Sequence, residues 1–117
     1  PSLQMNTWSF AGVASLLLLV VVAPIAEELF FRGVVFRGAL GAFSPRWAIL
    51  ISAVLFSLAH GSFAVGPFFL GIAAAVLVLK RNSIVAAIVL HAVCNANGPF
   101  FSSLFPDTFA QFSIFFN

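Results

Sequence analysis

The stretch FAGVASLLLLVVVAPIAEELFFRG, residues 10–33, decides the fold. Residues 10–26 are almost wholly apolar. Glu27 and Glu28 then stand side by side, and Arg32 follows one helical turn later. A run of that length approaches the ~20 residues that cross a bilayer as a helix. A charge near the bilayer centre costs about +2.5 to +3.5 kcal/mol, against about −0.3 to −0.6 for each Leu, Ile, Val or Phe. Two of the chain's three acidic residues therefore lie where they are most expensive. An ionisable group in a membrane span points to a functional site.

Composition agrees with that class. Of 117 residues, 62% are hydrophobic and 7% charged, with mean hydropathy +1.17; an average soluble domain is about 25% charged. A chain this short buries only about 60–70% of its unfolded surface on folding, too little to hide so much apolar area from water. The expectation is one membrane-embedded domain over residues 1–117. The net charge of +2 and pI of 9.6 rest on few groups, and Lys80-Arg81 is the only adjacent basic pair, so no nucleic-acid partner is expected. A single cysteine, Cys94, excludes an internal disulfide. The sequence begins at Pro1 without a basic leader, so no signal peptide is expected and it reads as a segment of a longer protein.

The chain predicts an all-α polytopic transmembrane bundle of about four spans. The first runs from about Trp8 to Leu40, and Pro24 should kink it and leave the Val20 carbonyl without its partner. Ser44-Pro45 should cap and open a second helix running to His60. A third starts near Phe63 or Pro67 and ends at Lys80-Arg81. Asn82 or Ser83 should cap a fourth, which ends at Gly98-Pro99. In the third helix Gly71 and Ala75 have the small-xxx-small spacing that lets a neighbouring backbone approach closely. In the tail, Phe109, Phe112 and Phe116 are spaced for an interfacial helix, or for the start of a fifth span. Arg37, Arg46, Lys80 and Arg81 all fall in or beside the first and third connections, which the positive-inside rule makes cytoplasmic.

Depth measured from that basic edge groups the polar residues. Glu27 lies ten residues before Arg37, and His91 ten after Arg81, each about 15 Å deep at ~1.5 Å per residue. His60 lies fourteen residues after Arg46, and Asn95 fourteen after Arg81, each about 21 Å deep. Three helices thus bring Glu, His, His and Asn to mid-membrane. Glu28 and Arg32 are spaced for an ion pair along one helix, which leaves Glu27, about 100° round the axis, uncommitted. His91 and Asn95 share a helix face, and Phe56, one turn before His60, can wall its site.

The segments Glu27-Glu28-Leu29-Phe30-Phe31-Arg32, Phe56-Ser57-Leu58-Ala59-His60 and His91-Ala92-Val93-Cys94-Asn95 resemble the EExxxR, FxxxH and HxxxN motifs of the CPBP family. That family comprises the CAAX prenyl proteases and bacteriocin-processing enzymes, also called the ABI domain. The resemblance covers roughly residues 20–97. It implies an intramembrane glutamate endopeptidase of a prokaryotic plasma membrane, acting without a cofactor on a membrane-associated peptide, prenylated or not. By that resemblance Glu27 and His60 would activate a water, His91 and Asn95 would hold the oxyanion, and Glu28 and Arg32 complete the first motif. Lys80-Arg81-Asn82-Ser83 stands where the family usually has a Thr-Gly stretch.

The chemistry is consistent with those residue types. Peptide hydrolysis needs a base for water, donors for the oxyanion and a proton for the leaving amine. Other readings stay open on the sequence. Glu28 and Arg32 can form a purely structural pair, two histidines and a glutamate are a zinc set, and Cys94 lies near His91 for thiol chemistry. A bacteriocin-immunity or scaffolding protein, or a small transporter with a Glu/His proton relay, would carry similar residues.

Overall fold

Ser9 opens the first helix by accepting a hydrogen bond at Oγ from the Gly12 N–H, 3.1 Å away, which satisfies one of the helix's orphan donors. A computed structural model describes residues 9–104. The chain is an all-α bundle of four helices, with no strand among the described residues. Helix α1 spans Phe10–Ala42, α2 Pro45–Leu58, α3 Val65–Arg81 and α4 Ile84–Leu104.

Proline at position 24 shapes α1 differently from expectation. Its ring crowds the carbonyl four residues back and it has no N–H to give. The helix responds by widening into a π turn over Leu18–Val22, in which the Ala23 N–H bonds the Leu18 carbonyl five residues back. In that register residue 24 would serve the Leu19 carbonyl. The acceptor orphaned by Pro24 is therefore on Leu19, not on Val20. A second π turn, Phe31–Phe36, carries Arg32.

Ser44 has the extended conformation of an N-cap, with Pro45 in the first turn, but its side chain makes no cap bond. The start of α2 is held by the backbone instead, the Ala48 N–H bonding the Ser44 carbonyl at 2.9 Å. The helix ends at Leu58, two residues before the expected His60. The His60 N–H then reaches the Ser57 carbonyl (3.1 Å) and the Gly61 N–H that of Leu58 (3.1 Å), a tighter turn that releases His60 from the helix. Gly61 takes φ +99°, where a side chain would be strained. The buried Ser57 hydroxyl closes the connection by donating to the Ala64 carbonyl (2.6 Å) and accepting from the Ala64 N–H (2.7 Å).

Asn82 closes α3 rather than opening α4. It adopts the left-handed conformation at φ 49°, and its N–H bonds the Val78 carbonyl at 2.8 Å. Lys80 and Arg81 sit in the last turn of α3, where cations suit the negative end of the helix dipole. Helix α4 does not stop at Gly98-Pro99 but continues to Leu104 with Pro99 inside it, as helices packed in a membrane bundle can. The expected interfacial helix around Phe109, Phe112 and Phe116 lies outside the described residues.

The helices meet through small side chains. Phe36 of α1 packs among Ala48 of α2, Ala74, Ala75 and Val78 of α3 and Ala87 of α4. This core occupies the half of the bundle nearer the basic connections, and the polar residues lie in the other half. Large apolar side chains point outward instead, among them Leu18, Val22, Leu29, Leu55, Phe69 and Val89. So much exposed apolar surface suits lipid rather than water. Among the described residues Phe10–Ala42 is the helix long and apolar enough to cross a membrane; Pro45–Leu58 and Ile84–Phe100 are shorter apolar helices.

Candidate active site

The glutamate pair sits on α1 between its two π turns. Glu28 is fully buried. Its Oε1 accepts from Arg32 Nη1 at 3.2 Å, and its Oε2 lies 3.2 Å from Arg32 Nε, off the line of a good hydrogen bond. The same Oε1 lies 2.8 Å from Nδ1 of His91, brought in by α4. An ionised carboxylate can only accept, so Nδ1 carries the hydrogen, and the other ring nitrogen is turned away from Glu28. That nitrogen, Nε2, faces Glu27 Oε2 at 3.7 Å. The His91 ring is thus set between two carboxylates that are adjacent in sequence.

Those carboxylates have unlike surroundings. Glu28 has no exposed surface and its oxygens face Arg32 and His91. The Glu27 side chain is 35% exposed, and its Oε2 has no hydrogen-bond partner. Glu28 pairs with Arg32 as its spacing suggested, whereas Glu27 is not left uncommitted but faces His91. The imidazole facing Glu27 is that of His91.

Phe56 binds the cluster from below. Its buried ring lies edge-on to Phe31, His60 and His91, with centroid separations of 5.2, 4.9 and 5.4 Å, and the Arg32 guanidinium carbon sits 4.6 Å from its centroid. A cation over an aromatic face gains about 0.5–2 kcal/mol, the more so away from water. The Phe56 carbonyl also faces His60 Nδ1 at 2.8 Å. A carbonyl only accepts, so Nδ1 carries the hydrogen there too, and His60 Nε2 is left as an acceptor.

A cavity of about 480 Å³ opens beside these residues. His60, His91, Cys94 and Asn95 supply its polar wall, and Phe56, Phe69, Leu70 and Leu90 much of its apolar wall. Asn95 does not point freely into it, because Nδ2 donates to the Leu19 carbonyl at 2.9 Å. That carbonyl is the one orphaned by Pro24, so the proline of one motif region and the asparagine of another are coupled across two helices. Four of the six expected residues, Glu27, Glu28, Arg32 and His91, form one contact chain; His60 and Asn95 join it at the cavity wall. Among the described residues no group of three His, Cys, Asp or Glu side chains is arranged to hold a metal ion.

Gly71 and the Leu19 carbonyl belong to the site's support and were not marked as such by the motifs. Gly71 was signalled by its spacing to Ala75. The role of Leu19 depended on a helix register that periodicity does not reveal.

No curated protein and no solved structure matches the chain. Residues 8–97 match the family model described as type II CAAX prenyl endopeptidase Rce1-like, which takes in all three motifs, the first three helices and the part of α4 that carries His91 and Asn95. On that match the chain belongs to the Rce1-like type II CAAX prenyl endopeptidases, a family of membrane-embedded proteases.

Proposed function

We propose that this chain is an intramembrane glutamate endopeptidase that hydrolyses peptide bonds of membrane-associated or lipidated substrates with a water activated by Glu27. The observation that carries the reading is the His91 ring held at 2.8 Å by Glu28 and turned toward Glu27 at 3.7 Å, while the Glu27 side chain is 35% exposed and that of Glu28 fully buried. A base must have a lone pair to spare and reach water. Exposure gives Glu27 that access; Glu28, buried between Arg32 and His91, lacks it.

In this reading Glu27 and His60 Nε2 accept from the two hydrogens of the attacking water. As the water oxygen bonds to the substrate carbonyl carbon, its proton passes to Glu27. His91 carries that proton onward to the leaving amine, and the C–N bond breaks. Asn95 gives one Nδ2 hydrogen to Leu19 and keeps the other for the oxyanion, a role that preorganised amide donors serve well. Glu28 and Arg32 hold His91 in orientation and tautomer without touching the substrate. The largely apolar cavity wall suits aliphatic side chains or a lipid chain of the substrate.

The same reading makes the bundle multi-pass in a prokaryotic plasma membrane, as one domain with its working core in residues 20–97. The test is to reconstitute the protein in lipid nanodiscs with a prenylated CAAX peptide, its unprenylated form and a bacteriocin precursor peptide, and to identify products by mass spectrometry. Cleavage at a defined bond, unchanged by chelator, is expected. Loss of cleavage on chelation would favour the zinc variant of the reaction. Failure to cleave any of the peptides would leave an immunity or scaffolding role.

A further inference from the structure

Gly71 lies on α3, outside the three motifs, and is buried against α1 and α2. A Cβ at this position would come 3.0 Å from the Ala53 Cα, 3.2 Å from the Ala53 Cβ and 3.2 Å from Arg32 Nη2. Real Cβ atoms rarely approach so closely, and the Ala53 backbone cannot yield as a side-chain tip can. Arg32 Nη2 is itself buried without a hydrogen-bond partner. Its position is therefore set by packing, by the Phe56 ring at 4.6 Å and by the α3 backbone at Gly71. From Arg32 the contacts run to Glu28, then His91, then Glu27.

We infer that Gly71 is a positioning residue for the hydrolysis: its missing side chain lets α3 seat against Ala53 and hold the Arg32 guanidinium where it fixes Glu28 and, through it, His91. The inference rests on the reading of the Glu27, Glu28 and His91 cluster given above. Packed interiors transmit small displacements rather than absorb them, and an error of about 1 Å at a reacting group costs on the order of 10²-fold in rate. A shift of a few tenths of an ångström at Arg32 therefore belongs to the range of about tenfold.

The test compares Gly71→Ala with Ala74→Gly in nanodiscs, measuring kcat, KM and thermal stability. Ala74 is buried on the same helix in the core cluster with Phe36 and Ala48; its change to glycine weakens α3 without adding an atom beside Arg32. Gly71→Ala is expected to lower kcat about tenfold or more with KM near wild type, and Ala74→Gly to lower stability with kcat retained. Equal kcat losses in the two variants at matched stability would overturn the inference. Should Gly71→Ala fail to fold, the double variant Ala53→Gly with Gly71→Ala removes the 3.2 Å contact with the Ala53 Cβ, leaves a glycine backbone freer to yield at the 3.0 Å contact, and keeps the contact with Arg32; it should still show the loss of kcat, and a wild-type kcat there also overturns the inference. Glu27→Gln measured alongside separates the two ideas. Inactive Glu27→Gln with fully active Gly71→Ala sinks this inference alone, and full activity in both sinks the hydrolytic reading with it.

Discussion

At the scale of single residues, Glu27 and Glu28 differ less in chemistry than in what surrounds them. Glu28 and Arg32 are both fully buried, with His91 on the same carboxylate oxygen. A buried pair adds little over apolar packing, but removing one partner strands the other charge at a cost of about 3–5 kcal/mol. Glu28→Gln keeps the shape and removes the charge, so it should destabilise the fold by about 3–5 kcal/mol. Glu27→Gln, at a side chain that is 35% exposed and 3.7 Å from His91, should cost about 1 kcal/mol or less. Unfolding titrations in mixed micelles measure both. The sequence distinguished the two glutamates through the Glu28–Arg32 spacing. It did not show that His91 completes the pair, because that depends on the rotation of α4 about its axis.

At the scale of elements, the π turn over Leu18–Val22 links Pro24 to Asn95. Pro24→Ala restores an N–H that can serve the Leu19 carbonyl, so the Asn95 side chain loses its reason to bond there. A double-mutant cycle of Pro24→Ala and Asn95→Ala should give a coupling energy of about 0.5–1 kcal/mol, measured by the same unfolding titrations; strict additivity would show that the two positions are independent. The helix boundaries were readable wherever a residue has one physical use, as with Pro45 in a first turn and Lys80-Arg81 in a last turn. The departures from expectation have local causes. The orphan carbonyl moved from Val20 to Leu19 because the helix changed register, and α4 passed through Pro99 because bundle packing outweighs one missing N–H.

At the scale of the whole molecule, depth along the bundle organises the site. Counting from the basic connections put Glu27, His60, His91 and Asn95 at one similar depth. In the structure Glu27 and His91 lie 3.7 Å apart, and His60, His91 and Asn95 line one cavity. Depth was legible because the rise stays at ~1.5 Å per residue over most of each helix; azimuth was not, since no neighbour fixes it in sequence alone. The same basic residues predict the orientation across the membrane. Reporter fusions should place residue 43 in the cytoplasm and residue 62 on the opposite side, and the reverse assignment would reject the proposed orientation.

The central claim is that one glutamate, freed by the pairing of its neighbour, is the base for peptide hydrolysis. Single-turnover cleavage of a membrane-anchored peptide by Glu27→Gln tests it most directly. The predicted result is a rate about 10²–10⁴-fold below wild type in a protein whose stability stays within about 1 kcal/mol of wild type. A Glu27→Gln enzyme that cleaves within about twofold of the wild-type rate would contradict it, given the loss expected on removing a general base.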